Sequence, residues 1–153
     1  MKIEQLLGNE LLLKIEKTAF LCSRKVPASV VLKCYDWAIA QREAGNCIIS
    51  GFHSQLEKDV LHYLLKGKQP IILAMARGIK KQMEPGLVAA IQEGRMLVVS
   101  PFGPEITRIT QETAQVRNQM MIELADQIAV GHMRQGGLLE KALLSSTKPI
   151  VTL

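Results

Sequence analysis

Short, wholly apolar runs alternate along this chain with longer amphipathic ones. Ala19–Cys22 is the first apolar run, and Cys47–Ser50 and Pro70–Met75 follow. Arg95–Ser100 holds Met96-Leu97-Val98-Val99, and Gln127–Val130 and Pro149–Leu153 complete a set of six. Between them apolar residues fall at helical spacing. Ala28–Ala44 places Val31, Cys34, Tyr35, Ala38 and Ile39 on one face, and Gly45-Asn46 marks its end as a left-handed cap would. Ser54–Lys66 does the same with Leu56, Val60, Leu61, Leu64 and Leu65, and Gly67 stops it. Pro85–Glu93 and Thr113–Leu124 read as helices, and Gly136-Gly137 open another that runs through Leu144.

Strands that are short apolar runs alternating with helices predict a parallel sheet covered on both faces. With right-handed crossovers the expected fold class is α/β, an open, doubly wound, Rossmann-like three-layer sandwich with a mostly parallel sheet of about six strands. Residues 1–153 suit a single domain of this kind, long enough to bury a sizeable core.

Composition changes this picture only a little. Nineteen basic against fourteen acidic residues give a formal net charge of +5, which leans toward anionic partners. Cys22, Cys34 and Cys47 are odd in number and carry no CxxC spacing, so they read as packing residues in a reducing cytoplasm. No charged-then-apolar leader opens the chain, and no apolar run is long enough to cross a bilayer.

The predicted strand ends carry the candidate chemistry. In sheets of this class ligands bind outside the carboxyl ends of the strands. The first strand ends in Ser23-Arg24-Lys25, and the second in Ser50-Gly51-Phe52-His53. The third is followed by Arg77, then Lys80 and Lys81. The fourth runs into Ser100-Pro101-Phe102-Gly103, and the fifth into Gly131-His132 and then Gly136-Gly137. Glycines let the main chain approach a ligand, helix N-termini present amides, and arginines bind phosphate oxygens bidentately. Hydroxyls, glycines and cations at one edge therefore suit a phosphate or a nucleic-acid backbone. Each piece also has a plain structural role: Ser23 and Ser50 as helix caps, Lys80 and Lys81 as a solvated loop, Arg117 as a partner of Glu112 or Glu123. Phe52, His53 and Phe102 either stack on bases or fill gaps.

Several enzyme templates fail. There is no GxxxxGK[ST] loop, no GxGxxG after the first strand, no GxSxG elbow and no HExxH. Six residues after Cys22 stands Ala28, where a tyrosine-phosphatase loop needs arginine. The residues call for no cofactor and no metal.

Taken in order, "GNELLLKIEKTAFLCSRKVP", "NCIISGFHSQLEKDVLHYLLKGKQPIILAMARGI", "MLVVSPFGP", "RNQMMIELAD" and "GGLLEKAL" resemble the Rossmann-like domain of the DprA (Smf) DNA-processing family. That family lies within a wider superfamily that includes the LOG-type, lysine-decarboxylase-like proteins. Cys22-Ser23-Arg24 matches the family's GSR, Ser50-Gly51 its second-motif SG, and Arg117-Asn118 its RN. Asp59 and His62 fall in the helix of its ID and AH, Ser100-Pro101-Phe102 on its fourth-strand loop, and Gly136 with Leu138 on its SGxL.

The resemblance implies a cytoplasmic, non-enzymatic protein that binds single-stranded DNA through a basic pocket at this edge. It implies a homodimer and a recombinase partner in recombination or natural transformation. Ser23, Arg24, Ser50, Gly51, Arg117 and Asn118 are then the pocket residues, with Arg24 and Arg117 on phosphates. Met120 and Met121 read either as a surface for a second copy or as core.

The chain departs from the family at Cys22, which replaces the first glycine of GSR, and at "GFHSQLEKD", which replaces GxARGID. The helical N-terminal and winged-helix C-terminal domains of many members have no counterpart in the chain. LOG-type phosphoribohydrolases use PGGxGTxxE. "RQGGLLEKALL" lacks the threonine, and Glu140 falls too early, which disfavours hydrolysis of nucleoside monophosphates. A module for a nucleotide or nucleotide derivative at the same edge is the alternative.

Overall fold

In the computed structural model, which describes residues 2–153, the apolar runs become the strands of one seven-stranded sheet. The strands are β1 (Gln5–Gly8), β2 (Lys17–Leu21), β3 (Cys47–Ser50), β4 (Ile71–Ala74), β5 (Met96–Ser100), β6 (Gln127–Val130) and β7 (Ile150–Thr152). Their spatial order is β1-β5-β4-β3-β2-β6-β7. All neighbours are parallel except β1, which runs antiparallel to β5. The helices are α1 (Ala28–Ala44), α2 (Gln55–Leu65), α3 (Pro85–Gln92), α4 (Gln111–Leu124) and α5 (Leu138–Leu144). No helix among the described residues is long and apolar enough to cross a membrane.

The central strands are buried on both faces, which is why they read as unbroken apolar runs. Successive side chains point to opposite faces of a strand. Phe20, Ile48, Ile71, Met96 and Val98 thus pack with Cys34, Ala38, Val60, Leu64 and Ala90 of α1–α3. Ala19, Leu21, Ile49, Ile72, Leu97 and Val99 pack with Met120, Met121 and Ile122 of α4 and Leu143 of α5. Met120 and Met121 are fully buried, so they are core and not a surface for a second copy.

Besides a short 3₁₀ helix at Glu10–Lys14 and shifts of one or two residues at several element ends, two strands differ from the sequence expectation. Strand β2 begins at Lys17 and ends at Leu21, which leaves Cys22 outside it. Strand β1 raises the count from about six to seven. It is four residues long and lies at an edge, where Leu6 and Leu7 stay exposed, so it lacks a buried apolar run. Gly8, at φ 115°, closes it against β5. A Cβ there would lie 2.3 Å from the Met96 carbonyl oxygen.

The end of α2 is held from a distance in sequence. The last carbonyls of a helix lack intrahelical donors. Arg95, just before β5, donates to the Leu64, Leu65 and Gly67 carbonyls and, through Nε, to Gln69. Arg95→Ala removes all four bonds. It is expected to cost about 2–3 kcal/mol, the scale of charged hydrogen bonds. Urea denaturation should show a lower midpoint at unchanged slope.

Candidate anion-binding site

The chain builds β2, β3, β4 and β5 outward in one direction and then returns to place β6 on the other side of β2. The crevice between the carboxyl ends of β2 and β6 is where doubly wound sheets hold ligands. An open cavity of about 1100 Å³ lies there. The loops after β2 and β6, the start of α2, the first turns of α4 and the entrance to α5 form its walls.

Arg117 is the floor. It lies on α4 three and four residues before Met120 and Met121, on the face that meets the sheet. Its side chain is 6% exposed yet lines the cavity. Nε donates to Asn118 Oδ1 at 2.9 Å, and Nη1 donates to the Ala74 carbonyl at 3.3 Å. The ion pairs among the described residues, Lys2–Glu4 and Arg42–Glu43, do not include it. Burial pulls its pKa down, and the charge of Glu57 pulls it back up.

Gly51 makes room for this group. A Cβ at Gly51 would stand 2.1 Å from Arg117 Nη1. The next residue, Phe52, adopts φ 45°, the left-handed region that L side chains rarely enter. Its ring is turned into the core beside α1–α3, and its amide donates to Ser50 Oγ.

The mouth is basic. Arg24 and Lys25 after β2, and Arg134 after β6, are exposed and line it. Ser23 ties the two loops together. Its amide donates to the His132 carbonyl at 2.8 Å, and its Oγ accepts from the Arg134 amide at 3.1 Å. His53 and Glu57 stand at the α2 side. Burial and the Arg117 charge hold the His53 imidazole below its ordinary 6.5, so it is neutral near pH 7. Burial, with Cys34 close by, pushes the Cys22 thiol up to about 12, so no thiolate faces the cavity from there.

Of the predicted site residues, Ser23, Arg24, Lys25, His53, Arg117, Asn118, Gly136 and Gly137 all line this cavity. Four do not. Ser50 is fully buried, and Gly51 lies behind the Arg117 guanidinium. The Phe52 ring is core, so it offers no face to a base. Arg77 turns its Nε back to the Gly78 carbonyl. The helix caps also fall elsewhere than Ser23 and Ser50: Pro27 precedes α1 without a side-chain bond, and Ser54 caps α2. The glycine amides before α5 are taken, Gly136 by Glu140 Oε1 and Gly137 by the Arg134 carbonyl.

Sequence reasoning missed Arg134, Glu57 and the aliphatic wall that Ile109 and Leu139 form with Leu138 of the SGxL match. Ser54-Gln55-Leu56-Glu57 is a legible S-x-x-E capping box, which would have placed Glu57 at the start of α2. Arg134 carries no motif of its own. It comes three residues after Gly131, at the end of β6.

No protein-family model and no curated protein sequence matches the chain. Solved structures do share its fold. DNA processing protein A from Helicobacter pylori, described for its single-stranded DNA binding mode, superposes with a TM-score of 0.75 at 15% identity. That match covers 96% of this chain and 69% of the other. DNA processing protein A from Streptococcus pneumoniae gives the same TM-score at 19% identity over 96% of this chain. There the chain spans 53% of its counterpart, about half. The molybdenum cofactor binding protein from Rippkaea orientalis is more distant, with a TM-score of 0.59 at 10% identity, over 90% of this chain and 75% of the other. The chain therefore has the DprA-like Rossmann-type fold.

Because Arg117 has no room to share with a Cβ, Gly51→Ala should push the guanidinium off the Ala74 carbonyl. Overpacking of this kind costs about 1–3 kcal/mol. The expected signature is a lower denaturation midpoint and, if phosphate stabilises the wild type, loss of most of that stabilisation. An unchanged phosphate response would separate Gly51 from the site.

Proposed function

We propose that this chain binds single-stranded DNA by seating backbone phosphates in the cavity between β2 and β6. The observation that carries this reading is the buried guanidinium of Arg117, which no carboxylate among the described residues pairs. An unpaired buried charge is costly, and a phosphate oxygen is the partner that planar guanidinium geometry suits. Arg24, Lys25 and Arg134 at the mouth add a track for neighbouring phosphates. The DprA-like fold agrees with this reading, and the Helicobacter pylori relative is itself a single-stranded DNA binder. Arg24 and Arg117 hold phosphates, Ser23 donates through its hydroxyl, and Asn118 orients Arg117. A homodimer, a recombinase partner and a cytoplasmic role in DNA processing extend the proposal through the family resemblance.

A second reading has its own support. Ile109, Leu138 and Leu139 make one wall aliphatic, and the cavity is only slightly larger than usual small-molecule sites. A nucleotide with its base on that wall and its phosphate on Arg117 would fit the same residues.

Fluorescence anisotropy of a short labelled single strand across a salt series decides between them. Each neutralised phosphate contributes a log–log slope of about −0.7. A slope near −2.8 is expected when all four cations engage. Arg24→Ala should shorten the slope by about 0.7, and Arg117→Ala should remove most of the affinity at every salt concentration. Unchanged binding in both variants would refute the DNA reading. A single-phosphate slope with strong stabilisation by a mononucleotide would favour the second.

A further inference from the structure

One carboxylate lines the cavity among the described residues, that of Glu57. Its Oε1 accepts from the Ser54 amide at 2.9 Å and from the His53 amide at 3.3 Å. The Ser54 bond is the return half of the α2 capping box. That task needs an acceptor oxygen and no charge, since glutamine closes the box equally well. Yet Glu57 is only 8% exposed and lines the same cavity as Arg117, with no ion pair between them. A buried charge the helix does not require acts on whatever binds beside it.

We infer that Glu57 makes the floor of this cavity select a phosphodiester over a terminal phosphate monoester. The inference rests on the reading that the cavity seats nucleic-acid phosphates, and it names which kind. A diester carries one negative charge, which Arg117 matches. A monoester carries about −1.5 to −2 at pH 7. Its second charge would be drawn to Arg117 but repelled by Glu57, and with no second buried cation the dianion's larger cost of leaving water goes uncompensated. Arg24, Lys25 and Arg134 are exposed, and solvent weakens what they offer at the floor. The interior of a DNA strand is thereby preferred to its phosphorylated end and to free mononucleotides.

Glu57→Gln keeps the cap acceptor and removes the charge. Binding of labelled oligothymidylate is measured first. Thymidine 5′-monophosphate and its methyl phosphodiester are then compared as competitors at pH 8, where His53 is neutral. In the wild type the methyl diester should bind at least as tightly as the monoester. Coulomb energy scales with the product of the charges. Glu57→Gln should therefore tighten monoester binding about tenfold and diester binding about threefold. Equal gains for both ligands, no gain, or a monoester preference in the wild type overturns the inference; the last comparison needs no variant. Failure of both competitors to displace the oligomer also overturns it, since the phosphate seat is then not this floor. If the oligomer itself does not bind, the DNA reading falls and this inference falls with it. If the oligomer binds and the gains are equal, the inference alone falls.

Discussion

Taking a guanidinium out of water requires oxygen around it and space for a flat, rigid group. Arg117 obtains both from the ends of two neighbouring strands. The register that pairs Ser50 with Leu73 brings Gly51 and Ala74 side by side where β3 and β4 stop. Ala74 offers a carbonyl that the sheet no longer uses, and Gly51 offers the absence of a side chain. The left-handed turn at Phe52 follows from this arrangement. It carries the chain away from the guanidinium and sends the ring into the opposite core layer, whose burial offsets a backbone conformation costing about 1–2 kcal/mol. Helix α4 fixes the other end by anchoring Met120 and Met121 in the core one turn beyond the arginine.

The sheet and its helices were legible because their central strands are buried on both faces, so each appears as a bounded apolar run. β1 was not, because an edge strand with half-exposed leucines has no such run and gains its partner from β5, some ninety residues away. The strand ends that carry the candidate residues were legible for the same reason that the strands were. Ser23, Arg24 and Lys25 follow an unmistakable apolar run, whereas Arg117 entered through the resemblance of Arg117-Asn118 to the family's RN. Which way a side chain turns was not legible. Phe52 and His53 are adjacent in sequence, yet one is core and the other lines the cavity, and the left-handed φ of Phe52 turns the chain between them. Arg77 and Arg134 both follow strand ends. The first folds back onto its own loop, while the second is brought to the cavity by the bond between its amide and Ser23.

The placement of charge divides labour in a way that net charge does not reveal. Arg24, Lys25 and Arg134 are exposed, so salt screens them within about 8–10 Å, and on the proposed reading their main effect is on encounter and on the number of phosphates engaged. Arg117 and Glu57 are buried, where screening is weak and geometry is fixed by Ala74, Asn118 and the α2 cap. A mouth of several cations attracts any polyanion, and by itself it would bind the most highly charged ligand best. On the proposed reading, a floor with one cation and one nearby carboxylate offsets that preference for the phosphate that reaches it. Affinity that depends on salt and selectivity that depends on charge per phosphate can then coexist in one cavity, because they arise at different depths.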